Sequence, residues 1–254
     1  KDVIMHQATA VATDQPASWQ DYVVAQDWAH FTAEEHAVWD LLFARQVPYL
    51  GTRIVSPFLA GIPLLGLDSP GIPELGALNA RLTPLSGWTL VPVAGIVPDA
   101  AFFAMLGERH FPIGNFIRGA DSLDYLEEPD CFHDIFGHVP MLAHPGLAAA
   151  MEQFGRHGIA AIAAGHGERV ARMYWYTIEF GLCREEGELR ILGAGLASSF
   201  GEACASLDDP TLERRRFTVE EAVANPYRND VMQPLYLVAD DIEAVVEALS
   251  SAEY

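Results

Sequence analysis

The sequence lacks several signals that would each name a class of protein. Its three cysteines, Cys131, Cys183 and Cys204, are unevenly spaced and form no Cys-x-x-Cys, which fits reduced thiols in a cytoplasm rather than a disulfide framework. Cationic residues are scarce: 15 Lys and Arg stand against 35 Asp and Glu, a net charge of −20. Nucleic acid is therefore not an expected partner, because its phosphates need Lys and Arg, and an anionic membrane surface is equally excluded. Solubility accounts for the surplus of negative charge. No apolar run approaches the length of a transmembrane helix, and the N-terminus lacks a charged start followed by an apolar stretch. There is no internal repeat and no low-complexity segment.

What the chain does have is material for a substantial core. Half of its 254 residues are hydrophobic, and a chain of this length can bury them as one domain. Residues 1–254 are read as a single catalytic domain, with about 1–25 as a loosely ordered extension. Thr32-Ala33-Glu34-Glu35 is a capping box ahead of Val38, Trp39, Leu42 and Phe43 at helical spacing. Between about 47 and 98, short apolar stretches punctuated by Pro and Gly predict loops, brief strands and short helices. Asp99 is expected to cap a helix over 100–109. Further helices are expected over 145–164, where Gly155 and Gly158 suggest two pieces, over 168–180, 196–207 and 218–224, the last with a capping box from Thr218 to Glu221, and from 241 onward. The expected class is mainly α with minor β.

One stretch carries chemistry. Residues 128–138 read Glu-Pro-Asp-Cys-Phe-His-Asp-Ile-Phe-Gly-His, and Glu179 follows 41 residues after His138, inside Tyr-Trp-Tyr-Thr-Ile-Glu-Phe-Gly. Two imidazoles and one carboxylate hold a divalent metal on one face and leave the opposite face open, the facial triad of non-haem iron oxygenases. His133 and His138 are five apart, however, which puts them roughly 140° apart on a straight helix. They share a face only if the helix ends or tightens near Gly137, or if a π-type turn inserts the extra residue. The zinc-protease signature differs, with histidines at i and i+4 and Glu directly after the first; here Asp134 follows. Two histidines at this spacing also arise by chance. Glu179 in an aromatic, apolar run strengthens the case, because a buried carboxylate is costly unless paired or coordinated. The same donors make a catalytic zinc site, so spacing leaves the metal open. Gly193-Ala194-Gly195 is no dinucleotide fingerprint, since Ser198 stands where the third glycine belongs and no βαβ pattern follows. A tight backbone turn into the next helix is the expected use of these glycines.

Five blocks in fixed order extend the pattern: Phe116-Ile117-Arg118; Asp124-Tyr125-Leu126 followed by Glu128-Pro129-Asp130; His133-Asp134 with Phe136-Gly137-His138-Val139-Pro140; Tyr174 through Gly181; and Gly193-Ala194-Gly195-Leu196 with Ser198-Ser199. Across about residues 30–240 they resemble the pterin-dependent aromatic amino acid hydroxylases, most closely the bacterial members acting on phenylalanine. The resemblance implies a basket of helices around Fe(II), with tetrahydropterin and O2 as cosubstrates and the ring of a free aromatic amino acid, phenylalanine foremost, as the target. His133, His138 and Glu179 match the iron ligands. Arg118 matches the partner of the substrate α-carboxylate, a task suited to a planar guanidinium. Ser198 matches a serine that touches the first histidine and the substrate region, and Pro129, Trp175 and Phe180 match the walls around the substrate ring. On the pterin side, Gly95 and Val97 match loop positions whose backbone meets the cofactor, Phe102 matches the aromatic that stacks on it, and Asp134 stands where many relatives carry Glu. Tyr125 and Tyr174 match active-site tyrosines. Leu126-Glu127 replaces the Thr-Pro of animal relatives, which removes a threonine from the substrate side.

By the same resemblance neither a regulatory domain nor an oligomerisation helix is expected, and hence an unregulated cytoplasmic monomer. Three alternatives accompany this reading. A relative hydroxylating tryptophan, or another ring position of phenylalanine, would share every ligand; Trp175 disfavours tryptophan, because tryptophan-specific members tend to have a smaller aromatic there. A zinc hydrolase could use His133, His138 and Glu179 with Asp134 as base. A metal-bound interaction domain is disfavoured, because a triad leaves the metal open.

Overall fold

Several helices in this chain start where a side chain accepts an amide of the first turn. In the computed structural model, which describes residues 18–123 and 128–251, α1 (Ala33–Leu50) opens on the expected capping box: Thr32 accepts from the Glu35 amide, and the Glu35 carboxylate accepts from the Thr32 amide. The helix buries Val38, Trp39, Leu42 and Leu50. Between 47 and 98 the chain is more regular than its Pro and Gly content predicts, with α2 (Ser56–Leu65), α3 (Leu75–Ser86) and β1 (Thr89–Val93). Pro63 and Pro84 stand in the last turns of their helices, where each leaves one carbonyl of the preceding turn without its amide partner. Gly66 (φ 70°) and Gly87 (φ 77°) then close both helices in the left-handed conformation, which glycine adopts without a Cβ clash.

Next come α4 (Asp99–Gly107) and β2 (His110–Gly114), which pairs parallel with β1. Asp99 is the first helical residue rather than the cap, a position taken by the extended Pro98. After the segment bearing both histidines follow α5 (Val139–Leu142) and α6 (Pro145–Ala163). The second of these is one unbroken helix, not two pieces. Its glycines serve packing: a Cβ on Gly155 would run into Gly107 and Leu106 of α4, and one on Gly158 into the Phe103 ring.

The chain continues through α7 (Gly167–Tyr174), β3 (Leu182–Glu185), β4 (Glu188–Ile191), α8 (Ala194–Ser198), α9 (Phe200–Asp208), β5 (Glu213–Arg216), α10 (Val219–Ala224), β6 (Leu235–Ala239) and α11 (Ile242–Ser250). The expected helix over 196–207 is two helices. Ser199 breaks it by adopting extended backbone and accepting the Glu202 amide on its hydroxyl, the local competition by which serine favours caps over helix interiors. The last four strands form one sheet in the order β4-β3-β6-β5, antiparallel between β3 and β4 and parallel elsewhere.

A continuous apolar core runs from Phe31 on the N-terminal side to Leu249 on α11, so the fold is mainly α with minor β, the helical arrangement expected. Part of the expected loose extension is packed. Trp19 is buried and its indole donates to Glu108, and Val23 bridges to Val93. Residues 1–17 and Tyr125 lie outside the described residues. Among the described residues no helix is long and apolar enough to cross a membrane.

Candidate metal centre

Both ligand-bearing segments are under-wound. His133–His138 forms a π turn, the second of the two ways its spacing could bring the histidines together. The segment starts where Asp130 accepts the His133 amide at 2.9 Å. It is covered by α8 so closely that a Cβ on Gly137 would lie 2.8 Å from the Ala194 carbonyl. The helix expected over 168–180 also changes winding, at Trp175–Glu179, where the Phe180 amide donates to the Trp175 carbonyl five residues back, at 2.8 Å. Thr177 bonds back to the Met173 carbonyl at 2.6 Å, a side-chain contact that bends helices.

The two turns bring three donor atoms together. His133 Nε2 and His138 Nε2 are 3.2 Å apart, and Glu179 Oε1 and Oε2 lie 3.4 and 3.2 Å from them respectively. Metal bonds of about 2.1 Å separate neighbouring ligands by roughly 3.0 to 3.4 Å, so a single divalent ion fits between them. The tautomer is set by Ser198. Its hydroxyl donates to the Ala194 carbonyl at 2.9 Å, so toward His133 Nδ1, also at 2.9 Å, it accepts. The His133 proton therefore sits on Nδ1, and the Nε2 lone pair faces the site.

Electrostatics agree with a cation. Burial pushes His133 down to about 4 and His138 down to about 3, leaving both imidazoles neutral and able to coordinate. Burial raises Glu179 to about 7, with His133 opposing, and its Oε2 is buried without a hydrogen-bond partner. Two converging lone pairs beside an orphaned carboxylate oxygen are stabilised by a metal ion and by little else.

An open cavity of about 640 Å³ adjoins these atoms. The three ligand candidates line it together with Pro129, Gly95, Val97, Phe102, Asp134 and Tyr174. Asp134 accepts the Gly114 amide at 2.7 Å, and its burial raises the carboxyl pKa well above the usual range. Tyr174 is buried against His138 and Phe154, with Phe102 meeting it edge-on at 5.4 Å. Burial likewise pushes the Tyr174 phenol well up.

Four residues expected at the site, Ser198, Arg118, Trp175 and Phe180, do not line this cavity. Ser198 stands behind His133. Arg118 is buried and commits two prongs to Asp130, Nε to Oδ2 at 2.8 Å and Nη2 to Oδ1 at 2.9 Å. Burial alone would raise Asp130, but Arg118 and two backbone amides hold it below the usual carboxylate range. Trp175 is 2 % exposed, packed between Phe180 and Tyr227 with ring centroids at 4.5 and 4.1 Å. It backs Phe180 and donates to Gln233 at 3.0 Å.

Sequence reasoning passed over Phe111, Pro112, Gly114 and Phe116, which also line the cavity. β2 is nearly all buried, so it shows no alternation to read. Within the motif nothing ties Asp130 to Arg118, although Asp three residues before a helical amide is a capping signal. The glycines at 193 and 195 do not make a turn, since Gly193 has ordinary extended backbone. They let α8 lie against Glu179, whose backbone a Cβ on Gly193 would strike.

Comparison with known proteins places this geometry in context. Residues 19–252 match the family model for biopterin-dependent aromatic amino acid hydroxylases. Phenylalanine-4-hydroxylase of Caulobacter vibrioides is 44% identical over 232 residues, covering 91% of this chain and 79% of that protein. Phenylalanine hydroxylase of Chromobacterium violaceum with bound oxidized Fe(III) superposes with a TM-score of 0.88 at 38% identity, covering 91% of this chain and 84% of that one. Its structure with iron(III) and oxidized cofactor 7,8-dihydrobiopterin gives 0.87 at 39%, covering 90% and 83%.

Proposed function

Because the chain belongs to the biopterin-dependent aromatic amino acid hydroxylases, we propose that it is an Fe(II)- and tetrahydropterin-dependent monooxygenase that hydroxylates L-phenylalanine to L-tyrosine with O2. The observation that carries the reading is the convergence of His133 Nε2, His138 Nε2 and an orphaned Glu179 oxygen at the edge of a cavity. These three residues would hold the iron, which when bound supplies the centre at which O2 and reduced pterin react. Relatives at this similarity named for phenylalanine hydroxylation support the substrate.

The chain's own residues then have defined tasks. Ser198 keeps the His133 lone pair on the metal side. Asp130 holds two prongs of Arg118, whose guanidinium would meet the substrate carboxylate. Phe180 and Pro129 flank the ring, with Trp175 behind Phe180. Gly95, Val97 and Phe102 bound the pterin side, where Asp134, seated on the Gly114 amide, would face the cofactor. Tyr174 closes the cavity against His138 and excludes water. Positioning of this kind lets the cofactors carry the redox chemistry.

The same reading makes the enzyme a cytoplasmic monomer, with residues 19–252 as its catalytic domain. Unpaired Cys131, Cys183 and Cys204 support a reducing compartment, and sedimentation velocity tests the oligomeric state. The activity is tested by anaerobic loading with ferrous iron, then addition of reduced pterin, O2 and each aromatic amino acid. Tyrosine from phenylalanine, dependent on all three additions, is expected. Turnover with zinc that ignores O2 and pterin would replace the reading with a hydrolase.

A further inference from the structure

A second cavity lies on the other side of His138. It gives the centre of a small molecule about 30 Å³ of room and shares two walls with the metal-site cavity, Phe111 and His138. Those rings pack together with centroids 4.9 Å apart, so a partition one side chain thick separates the two spaces. The far wall comes from α5, α6 and α11 through Met141, Leu147, Met151 and Val245, and apart from the His138 ring no ionisable side chain among the described residues lines it.

A cavity walled in this way offers water too few hydrogen-bond partners and accepts small apolar guests such as xenon instead. Two of its walls are methionines, unbranched side chains that swing aside at low cost. The reaction read from the neighbouring site consumes one small apolar molecule, O2. We propose that this cavity is where molecular oxygen collects, behind Phe111 and His138, before it passes their edges to the metal site. The inference rests on the hydroxylase reading above and adds a ligand site to it.

Xenon reports such a site directly. Crystals of the iron-loaded enzyme pressurised with xenon are expected to hold the gas between Phe111, Leu147, Met151 and Val245. A cavity that stays free of xenon or fills with ordered water overturns the proposal. Val245→Phe fills the space from α11, away from the metal ligands, and Val245→Leu is the milder version should the larger ring unfold the helix. Either is expected to reduce xenon occupancy and raise KM for O2, by roughly fourfold for full closure, the enrichment that burying one methylene-sized apolar group brings. KM for phenylalanine and for reduced pterin should stay at the parent values. A filled cavity with the parent KM for O2 also overturns the proposal. Tyrosine formation separates the two readings: none from the parent enzyme would remove the function, whereas a parent that forms tyrosine and a filled variant with the same KM for O2 would remove the cavity's role alone.

Discussion

A Cβ placed on Gly195 would lie 2.7 Å from Glu179 Oε1 and 2.9 Å from the Phe180 ring. The absence of a side chain on α8 therefore seats the ligand carboxylate. Gly195→Ala is expected to displace Glu179 and weaken divalent metal binding by roughly ten- to a hundredfold, the usual cost of disturbing a ligand's support. Metal titration alongside circular dichroism checks it. A folded variant with parent affinity would show that α8 yields instead.

Removal of the Ser198 hydroxyl leaves His133 Nδ1 without its acceptor and frees the ring to change tautomer. Ser198→Ala should weaken metal binding by about tenfold or more and leave the fold intact. Unaltered affinity in equilibrium dialysis would mean that the ring is oriented by packing alone.

Asp130 and Arg118 separate stability from binding. Asp130→Ala leaves Arg118 buried and unpaired and should destabilise the fold by about 3–5 kcal/mol, read from denaturant unfolding. Arg118→Lys keeps the charge but loses the fork, so KM for phenylalanine should rise strongly. If it does not, the substrate carboxylate is held elsewhere.

In the proposed site Trp175 would act on the substrate through the Phe180 ring packed on it. Trp175→Phe removes the donor to Gln233 and makes room behind the Phe180 ring. The tryptophan-to-phenylalanine ratio of kcat/KM should increase roughly tenfold, with iron content unchanged. A ratio at the parent value would make Trp175 a core residue without influence on specificity.

Metal uptake should depend on pH through Glu179. In the metal-free protein its pKa is raised to about 7, while His133 is lowered to about 4 and His138 to about 3. Coordination requires all three deprotonated, which holds above pH 7. As pH falls below 7 the carboxyl takes up a proton that the metal must displace, so affinity should drop about tenfold per pH unit down to pH 4, and faster below as His133 protonates. Anaerobic calorimetry with Co(II) measures this. A flat affinity between pH 5 and 7 would show that Glu179 is already ionised without metal.

Some of this structure is written locally in the chain. Thr32 with Glu35, Thr218 with the Glu221 amide and Asp241 with the Ala244 amide start helices because donor and acceptor lie three residues apart, and such contacts need no distant partner. The ligand chemistry was legible for the same reason: two histidines five apart, a glycine between them and a carboxylate in an apolar run leave few other uses.

Tertiary structure decided the rest. A spacing of five admits a helix end or a π turn, and α8 packed on Gly137 accompanies the second. The winding at Trp175–Glu179 left no periodic trace, since every residue there except Ile178 is buried. Gly155, Gly158, Gly193 and Gly195 look like helix breakers or turns in sequence, yet each marks a close approach by a segment far along the chain. Asp130 could be seen as a cap, but its hold on Arg118 exists only once the two residues are brought together. The sequence by itself determined which atoms could bind a metal and where most helices begin, because those depend on chemistry within a few residues. Which faces meet, how the helices unwind to let the ligands converge, and what empty space lies behind His138 depend on packing among distant segments, where no local pattern reaches.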